Sequence, residues 1–328
     1  MDTIASWSKT DRADLLREAG AVKNMAPEVV EKDFWVCWVL DKLFGSPSMA
    51  EKVLLKGRTS LSKVFGLIER FSEDIDLILD WNEVSAEDPM AERSVTKQGV
   101  FNKKLLHDTH IYLKEVFLSE VEALIGDICK ATIEDNPEVV SIRYPASFSS
   151  EYLRPDVQLE VGPLASSVPN AEYGITPYAA EAFPRVFSRP TSRVRAIKAE
   201  RTFWEKVTIL HHEANRPEGT VQPKGYSRHY YDVSRMAQST EKDVAFGDLE
   251  LLRDVVAFKD KFYHRGWARY DLAVAGTMKL VPPEHVRTAV ARDYDEMRFM
   301  IYGEVPTFDD LMRSIQQLED EINQLPTA

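Results

Sequence analysis

The chain has 328 residues, 44% of them hydrophobic and 29% charged, which is material for two domains or for one large domain with a helical appendage. Its 41 Lys and Arg are outnumbered by 53 Asp and Glu. The resulting net charge of −12 argues against a sequence-independent nucleic-acid coat, whose affinity comes from many cationic contacts to phosphates. A local basic groove on an acidic body remains compatible with that balance.

In chain order, the opening MDTIASWSKTDRADLL lacks a basic stretch followed by an apolar one, so no signal peptide is expected. Ser8 with Asp11 three residues on marks a helix start, and Gly20 a stop. Pro27 suits a first helical position, and its helix runs to Phe44 before Gly45. Within it FWVCWVL (34–40) is the longest apolar run, far short of the roughly 20 residues a membrane span needs. The expectation is a cytoplasmic protein with no membrane partner. Cys37 and Cys129 lie far apart in apolar helical patterns and read as free, buried thiols.

KVLLK (52–56) reads as a buried strand, TSLSKVFGL as a helix and DIDLIL (74–79) as a second strand. A long helix follows from Gln98 to Ile128, and then VVSIRYPA (139–146) and DVQLEVGPL (156–164) alternate as strands. Residues 163–193, rich in Pro and Ser, read as loops. The chain is then helical over 196–214, 229–238, 245–265, 283–301 and 307–325. A boundary near residue 190 separates a front half of mixed strands and helices (1–190) from a helical lobe (191–328).

Asp74 and Asp76 share one face of their strand, while Ile75, Leu77 and Leu79 take the other. Adjacent carboxylates repel, and a hard divalent cation such as Mg²⁺ neutralises them while binding substrate phosphates. In nucleotidyl transfer such an ion stabilises the developing charge. The other reading of the pair is the solvated face of an edge strand. Glu160, flanked by apolar residues, reads as a buried charge able to complete a three-carboxylate site, with Asp156 as its rival. Gly57 stands between a strand and a helix that opens with Thr59 and Ser60. Such a junction offers free backbone N–H groups to an anion, with the Ser60 hydroxyl and the Lys63 cation beside them.

KGRTSLSK followed by IERFSEDIDL resembles the first motif of the AbiEii/AbiGii-type nucleotidyltransferase toxins, in the DNA polymerase β-like superfamily. RTFWEKVTILHH (201–212) resembles the helix carrying a family lysine, which falls on Lys206. SRHYYDVSRM (227–236) resembles the helix carrying a further acidic residue, which falls on Asp232. VEKDFWVCWVL (30–40) is similar to the family's N-terminal helix. The resemblance implies an α+β fold: a nucleotidyltransferase core with a mixed or antiparallel sheet flanked by helices, and an all-helical C-terminal lobe. It implies transfer of NMP from an NTP with Mg²⁺ or Mn²⁺ on Asp74 and Asp76, and a toxin of a toxin–antitoxin or phage-defence system with a cognate antitoxin. Some members modify the 3′ end of tRNA.

Arg58 departs from the family pattern, which has a second glycine there. Glycine permits positive φ and close approach of a phosphate. The arginine either strains that turn and impairs the enzyme, which is the expectation, or swings its guanidinium onto the triphosphate. Ser72, two residues before Asp74, is where a phosphate would crowd the site with negative charge. Lys206 is expected to bind nucleotide phosphates, and Asp232 to hold a nearby cation or to support the acceptor. Arg201 belongs with Arg185, Arg189, Arg193, Arg195, Lys198, Lys224 and Arg228 to a basic stripe that an RNA end or an NTP would meet. Two rival functions stand beside RNA-directed transfer. One is nucleotidyl transfer to a small-molecule or protein hydroxyl. The other is a nucleotide- or RNA-binding module silenced by Arg58.

Overall fold

The computed structural model describes every residue except 71–73, 151–152 and 327–328. Seven strands make one sheet: β1 (Val53–Lys56), β2 (Asp74–Leu79), β3 (Lys130–Ile133), β4 (Val139–Arg143), β5 (Asp156–Gly162), β6 (Asn170–Ile175) and β7 (Ser192–Ile197). Their order is β3-β4-β5-β2-β1-β7-β6. β2 runs parallel to β5 and β1 parallel to β7, and the remaining neighbours are antiparallel, so the sheet is mixed and the fold α+β, as expected. β2 lies near the centre, between β1 and β5, which gives its alternate residues a fixed register on both sides.

Helices accompany the strands: α1 (Asp2–Ala5), α2 (Lys9–Lys23), α3 (Pro27–Gly45), α4 (Pro47–Lys52), α5 (Gly57–Thr59), α6 (Val95–Tyr112), α7 (Leu118–Ile125) and α8 (Tyr178–Ala182). The chain forms two compact units. The first comprises Met1–Val64, Ser72–Arg93 and Val100–Ile197. The second comprises Phe65–Phe71, Ser94–Gly99 and Lys198–Ala328. The core of the first unit packs α3 with the apolar faces of β2 and β5, through residues such as Ile75, Leu77, Leu159 and Val161. α3 also buries the charged run Glu31, Lys32 and Asp33. Each has a partner: Glu31 accepts from the Ser147 and Phe148 N–H groups, Lys32 donates to the Arg154 and Asp156 carbonyls, and Asp33 pairs with Lys63. Burial of charge is tolerable only with such partners.

The second unit contains α9 (Ala199–Ala214), α10 (Ser227–Met236), α11 (Thr240–Phe246), α12 (Leu249–Phe262), α13 (Glu284–Met297) and α14 (Phe308–Asn323). Several sequence expectations move. α2 continues past Gly20 and stops at Asn24, which adopts the left-handed conformation at φ 53° that ends a helix. The stretch read as loops over 163–193 holds β6, α8 and the start of β7, and the following helix begins at Ala199 rather than 196. In β7 the alternation Arg193-Val194-Arg195-Ala196 is a strand signal that the neighbouring Pro and Ser residues mask.

His211 donates from Nε2 to the Arg269 carbonyl and accepts the Lys279 N–H at Nδ1, an arrangement open only to neutral imidazole. Burial lowers its pKa and brings that of His212, which packs on the Trp267 ring, down to about 4. In the unfolded chain both take up protons below about pH 6.5. The unfolded state therefore binds more protons than the folded one in the window from about 4 to about 6.5, and stability rises with pH across it. Thermal melts are expected to fall steadily as the buffer is taken below pH 6.5. His212→Phe, which keeps a ring against Trp267, is expected to flatten that slope.

Candidate active site

The chain leaves β1 at Lys56 and turns at Gly57, whose φ of +72° is in the left-handed region. A β-carbon there would lie 2.1 Å from Asp76 Oδ2 and 2.6 Å from its Cγ, so only glycine lets turn and carboxylate approach. The antiparallel register sets Lys56 opposite Asp76, which brings the turn against the second aspartate. Asp74 and Asp76 are both half-buried on one face of β2, while Ile75 and Leu77 are fully buried on the other.

Arg58 does not strain this turn. It lies within α5 with an ordinary negative φ, so a second glycine is not required, and the expected steric impairment is corrected. Its backbone N–H faces Asp76 Oδ2 at 3.4 Å, and its Nη2 donates to Asp74 Oδ2 at 3.1 Å. Thr59 and Ser60 are completely buried. The Thr59 hydroxyl donates to the Asp74 carbonyl at 2.5 Å and that of Ser60 to the Gly57 carbonyl at 2.8 Å. The Thr59 hydroxyl therefore ties the turn to β2 and the Ser60 hydroxyl closes the turn on itself, so both are engaged within the protein. Lys63 is likewise corrected as a phosphate-gripping cation. It is buried 2.7 Å from Asp33, with its Nζ over the Tyr178 ring at 3.8 Å. The Asp33 carboxylate outweighs the effect of burial and holds the Lys63 pKa above its ordinary value.

The parallel pairing of β2 with β5 sets Glu160 beside Asp76 and Gln158 beside Asp74. Glu160 is exposed, not buried as expected. Its apolar neighbours Leu159 and Val161 face the opposite side of the strand, so they say nothing of its own surroundings. Asp156 is the buried one, and it accepts from the Ser141 hydroxyl and pairs with Arg154. Among the described residues no three His, Cys, Asp or Glu side chains gather into a metal site, so the trio of Asp74, Asp76 and Glu160 is not assembled. The two aspartates still fit a divalent cation. They present hard oxygens on one face with no β-carbon at position 57 to crowd them, and such an ion takes its remaining ligands from phosphate and water. Ser72 lies outside the described residues.

In the second unit, Asp232 on α10 is completely buried and grips two cations. Arg70 donates from Nε and Nη2 to its two oxygens at 3.0 and 2.9 Å, and Lys206 on α9 donates to Oδ2 at 2.9 Å. Burial pushes the Asp232 carboxyl upward, but Arg70 and Lys206 outweigh it and hold it well below the carboxylate range. His229 is pushed well below its ordinary pKa by burial and then by Lys206 and Arg228, so it adds no charge. One carboxylate between two cations leaves a single excess positive charge. The Arg70 Nη1 is buried without a hydrogen-bond partner among the described residues. Sequence reasoning missed Arg70, although it stands inside the quoted stretch IERFSED.

Four members of the basic stripe have partners of their own. Arg201 is buried and pairs with Glu205 four residues on. Arg189 pairs with the buried Asp41, Arg195 donates to the Ala50, Glu51 and Val53 carbonyls around the end of α4, and Arg193 faces Glu172.

The model of the family described as nucleotidyl transferase AbiEii toxin, type IV TA system, matches residues 38–314. That is most of the chain, and the chain belongs to this family. It is thus a nucleotidyltransferase toxin of a type IV toxin–antitoxin system, a kind of enzyme that uses an NTP and a divalent metal and has a cognate antitoxin. Among solved structures it is similar to MenT4, a nucleotidyltransferase toxin from Mycobacterium tuberculosis H37Rv, at 14% identity and a TM-score of 0.47, covering 95% of this chain and 97% of that one. No curated protein matches the chain significantly. No helix among the described residues is long and apolar enough to cross a membrane.

Two stability outcomes follow from these geometries. Gly57→Ala is expected to lower the melting temperature, because it combines a positive φ with a clash against Asp76, whereas Arg58→Gly is expected to bring no gain in stability. Asp232→Ala leaves two buried cations uncompensated and should cost about 3–5 kcal/mol in denaturant unfolding, the usual penalty for breaking a buried pair.

Proposed function

We propose, from its membership of the AbiEii family, that this toxin transfers NMP from an NTP to a hydroxyl of RNA, with the 3′ end of tRNA as the acceptor. The observation that carries the reading is the pair Asp74 and Asp76 on one face of β2, packed against a turn that only Gly57 can make. Asp74 and Asp76 would hold Mg²⁺ or Mn²⁺. When bound, the ion neutralises the phosphate oxygens and the charge that develops on them during in-line attack at the α-phosphorus.

The chain's own residues supply the rest. The turn at Gly57 keeps the Asp76 carboxylate fixed, and the Thr59 and Ser60 hydroxyls lock that turn. In the second unit Lys206, the most exposed member of its cluster at 10%, is the compact cation that would meet a phosphate. Asp232 positions Lys206 rather than meeting the acceptor, since both of its oxygens are engaged by Arg70 and Lys206. The excess positive charge of this cluster suits an anionic ligand.

A second acceptor class is favoured by one observation. Arg195 and Arg201 are engaged by partners within the chain, and Arg189, itself 65% exposed, pairs with the buried Asp41, so the charge of these three is partly neutralised before any RNA is met. A small-molecule or protein hydroxyl, or an RNA end gripped at few phosphates, fits that economy.

The experiment is incorporation of label from each [α-³²P]NTP into total RNA, with a protein fraction and a small-molecule fraction analysed alongside. Label on a tRNA-sized band is the expected outcome. Asp74→Ala and Asp76→Ala should each lower it by about a thousandfold or more, as loss of charge stabilisation at a phosphoryl centre does. Lys206→Ala should also abolish most of it. Label confined to the protein or small-molecule fraction would overturn the RNA acceptor and leave the transferase intact.

A further inference from the structure

The Arg58 side chain is where the structure goes beyond nucleotidyl transfer as such. It carries a cation directly on the aspartate pair: its Nη2 lies 3.1 Å from Asp74 Oδ2, and the two side chains are only 14% and 18% exposed. The contact is not forced by the backbone, because α5 carries Arg58 at an ordinary φ and would accept any residue there. Nor is it a rim ion pair of the kind that contributes little. Partial burial lowers the screening between the charges, and the same region holds Asp76, so the guanidinium offsets part of the repulsion between two neighbouring carboxylates.

A guanidinium on Asp74 Oδ2 opposes a divalent cation on the same carboxylate, because the two positive charges repel across a partly buried site and the guanidinium already takes one of its lone pairs. We propose that Arg58 is an internal counter-ion that holds Asp74 in the nucleotide-free protein, competes there with free divalent cation, and passes to the phosphates of an incoming metal–nucleotide complex. Free metal binds against the guanidinium's charge and pushes it off Asp74 Oδ2, and brings no acceptor in exchange. A metal bound to a polyphosphate displaces it too, but brings phosphate oxygens that accept the fork of N–H donors at least as well. Loading therefore depends on the nucleotide: the site takes metal–nucleotide in preference to metal. The inference rests on Asp74 and Asp76 being the metal-holding pair proposed above.

The test reads binding, not turnover. Mn²⁺ affinity of the nucleotide-free full chain is measured by electron paramagnetic resonance, and binding of preformed Mn²⁺–tripolyphosphate by calorimetry. The proteins are wild type, Arg58→Gln, Arg58→Lys and Asp76→Asn. Arg58→Gln is expected to bind Mn²⁺ alone about tenfold more tightly than wild type, and Mn²⁺–tripolyphosphate about fivefold more weakly, the scale of one partly buried charge contact. Arg58→Lys keeps the charge and should stay with wild type for Mn²⁺ alone, which separates competition from a general change in fold. If Arg58→Gln binds Mn²⁺ within twofold of wild type while Asp76→Asn loses it, the metal site stands and the counter-ion role is overturned. An unchanged affinity for Mn²⁺–tripolyphosphate in Arg58→Gln overturns it as well. If no protein binds Mn²⁺ in either form, the metal-holding pair itself is wrong and the counter-ion falls with it.

Discussion

The Asp76 carboxylate occupies space that a β-carbon at position 57 would need, and this exclusion organises the front of the first unit. Because the turn must be glycine with a left-handed φ, β1 can stop at Lys56 and reverse into α5 without moving away from β2. The antiparallel register then fixes which aspartate lies against the turn, and the Thr59 hydroxyl ties the same turn to the Asp74 carbonyl. Lys63, one helical turn further on, anchors this segment to α3 through Asp33. Glycine, strand register and a buried ion pair thus act on one short stretch, so the two carboxylates are held by the scaffold rather than by a flexible loop.

Both units bury charge, with different arithmetic. Lys63 and Asp33 balance each other, and the Tyr178 N–H and ring satisfy what remains, which is the pattern of a structural pair. Arg70, Asp232 and Lys206 do not balance. Replacing a buried ion pair by apolar residues often costs nothing, so an unbalanced cluster is poorly explained by stability alone. The difference between the two clusters is that excess charge, which is what the proposed phosphate-binding role of Lys206 would use.

The carboxylate pair, the glycine turn, β1, β2, β4, β5 and most helices were legible because each has a local signature: period-two alternation, a breaker, or an N-cap such as Ser8 accepting from the Asp11 N–H. Lys63 was misread because a lysine one turn into a helix looks the same whether it faces solvent or an aspartate thirty residues earlier in the chain. Glu160 was misread because flanking apolar residues describe the other face of the strand. β6 and β7 were hidden by prolines and serines around them, and their pairing is a long-range fact that no window contains. Arg70 escaped notice because its partner, Asp232, is 162 residues away.

That last separation has a consequence for how the protein can be cut and built. The segment Phe65–Phe71 belongs with the second unit although in chain order it comes between α5 and β2 of the first. Residues 198–328 are therefore not a transferable module: a fragment starting there lacks Arg70 and leaves Asp232 with Lys206 as its remaining cation from this cluster. On the ribosome the same connectivity means that the first unit's strand β2 can form before the partner of Arg70 has been synthesised. The second unit is finished last, with a piece delivered early.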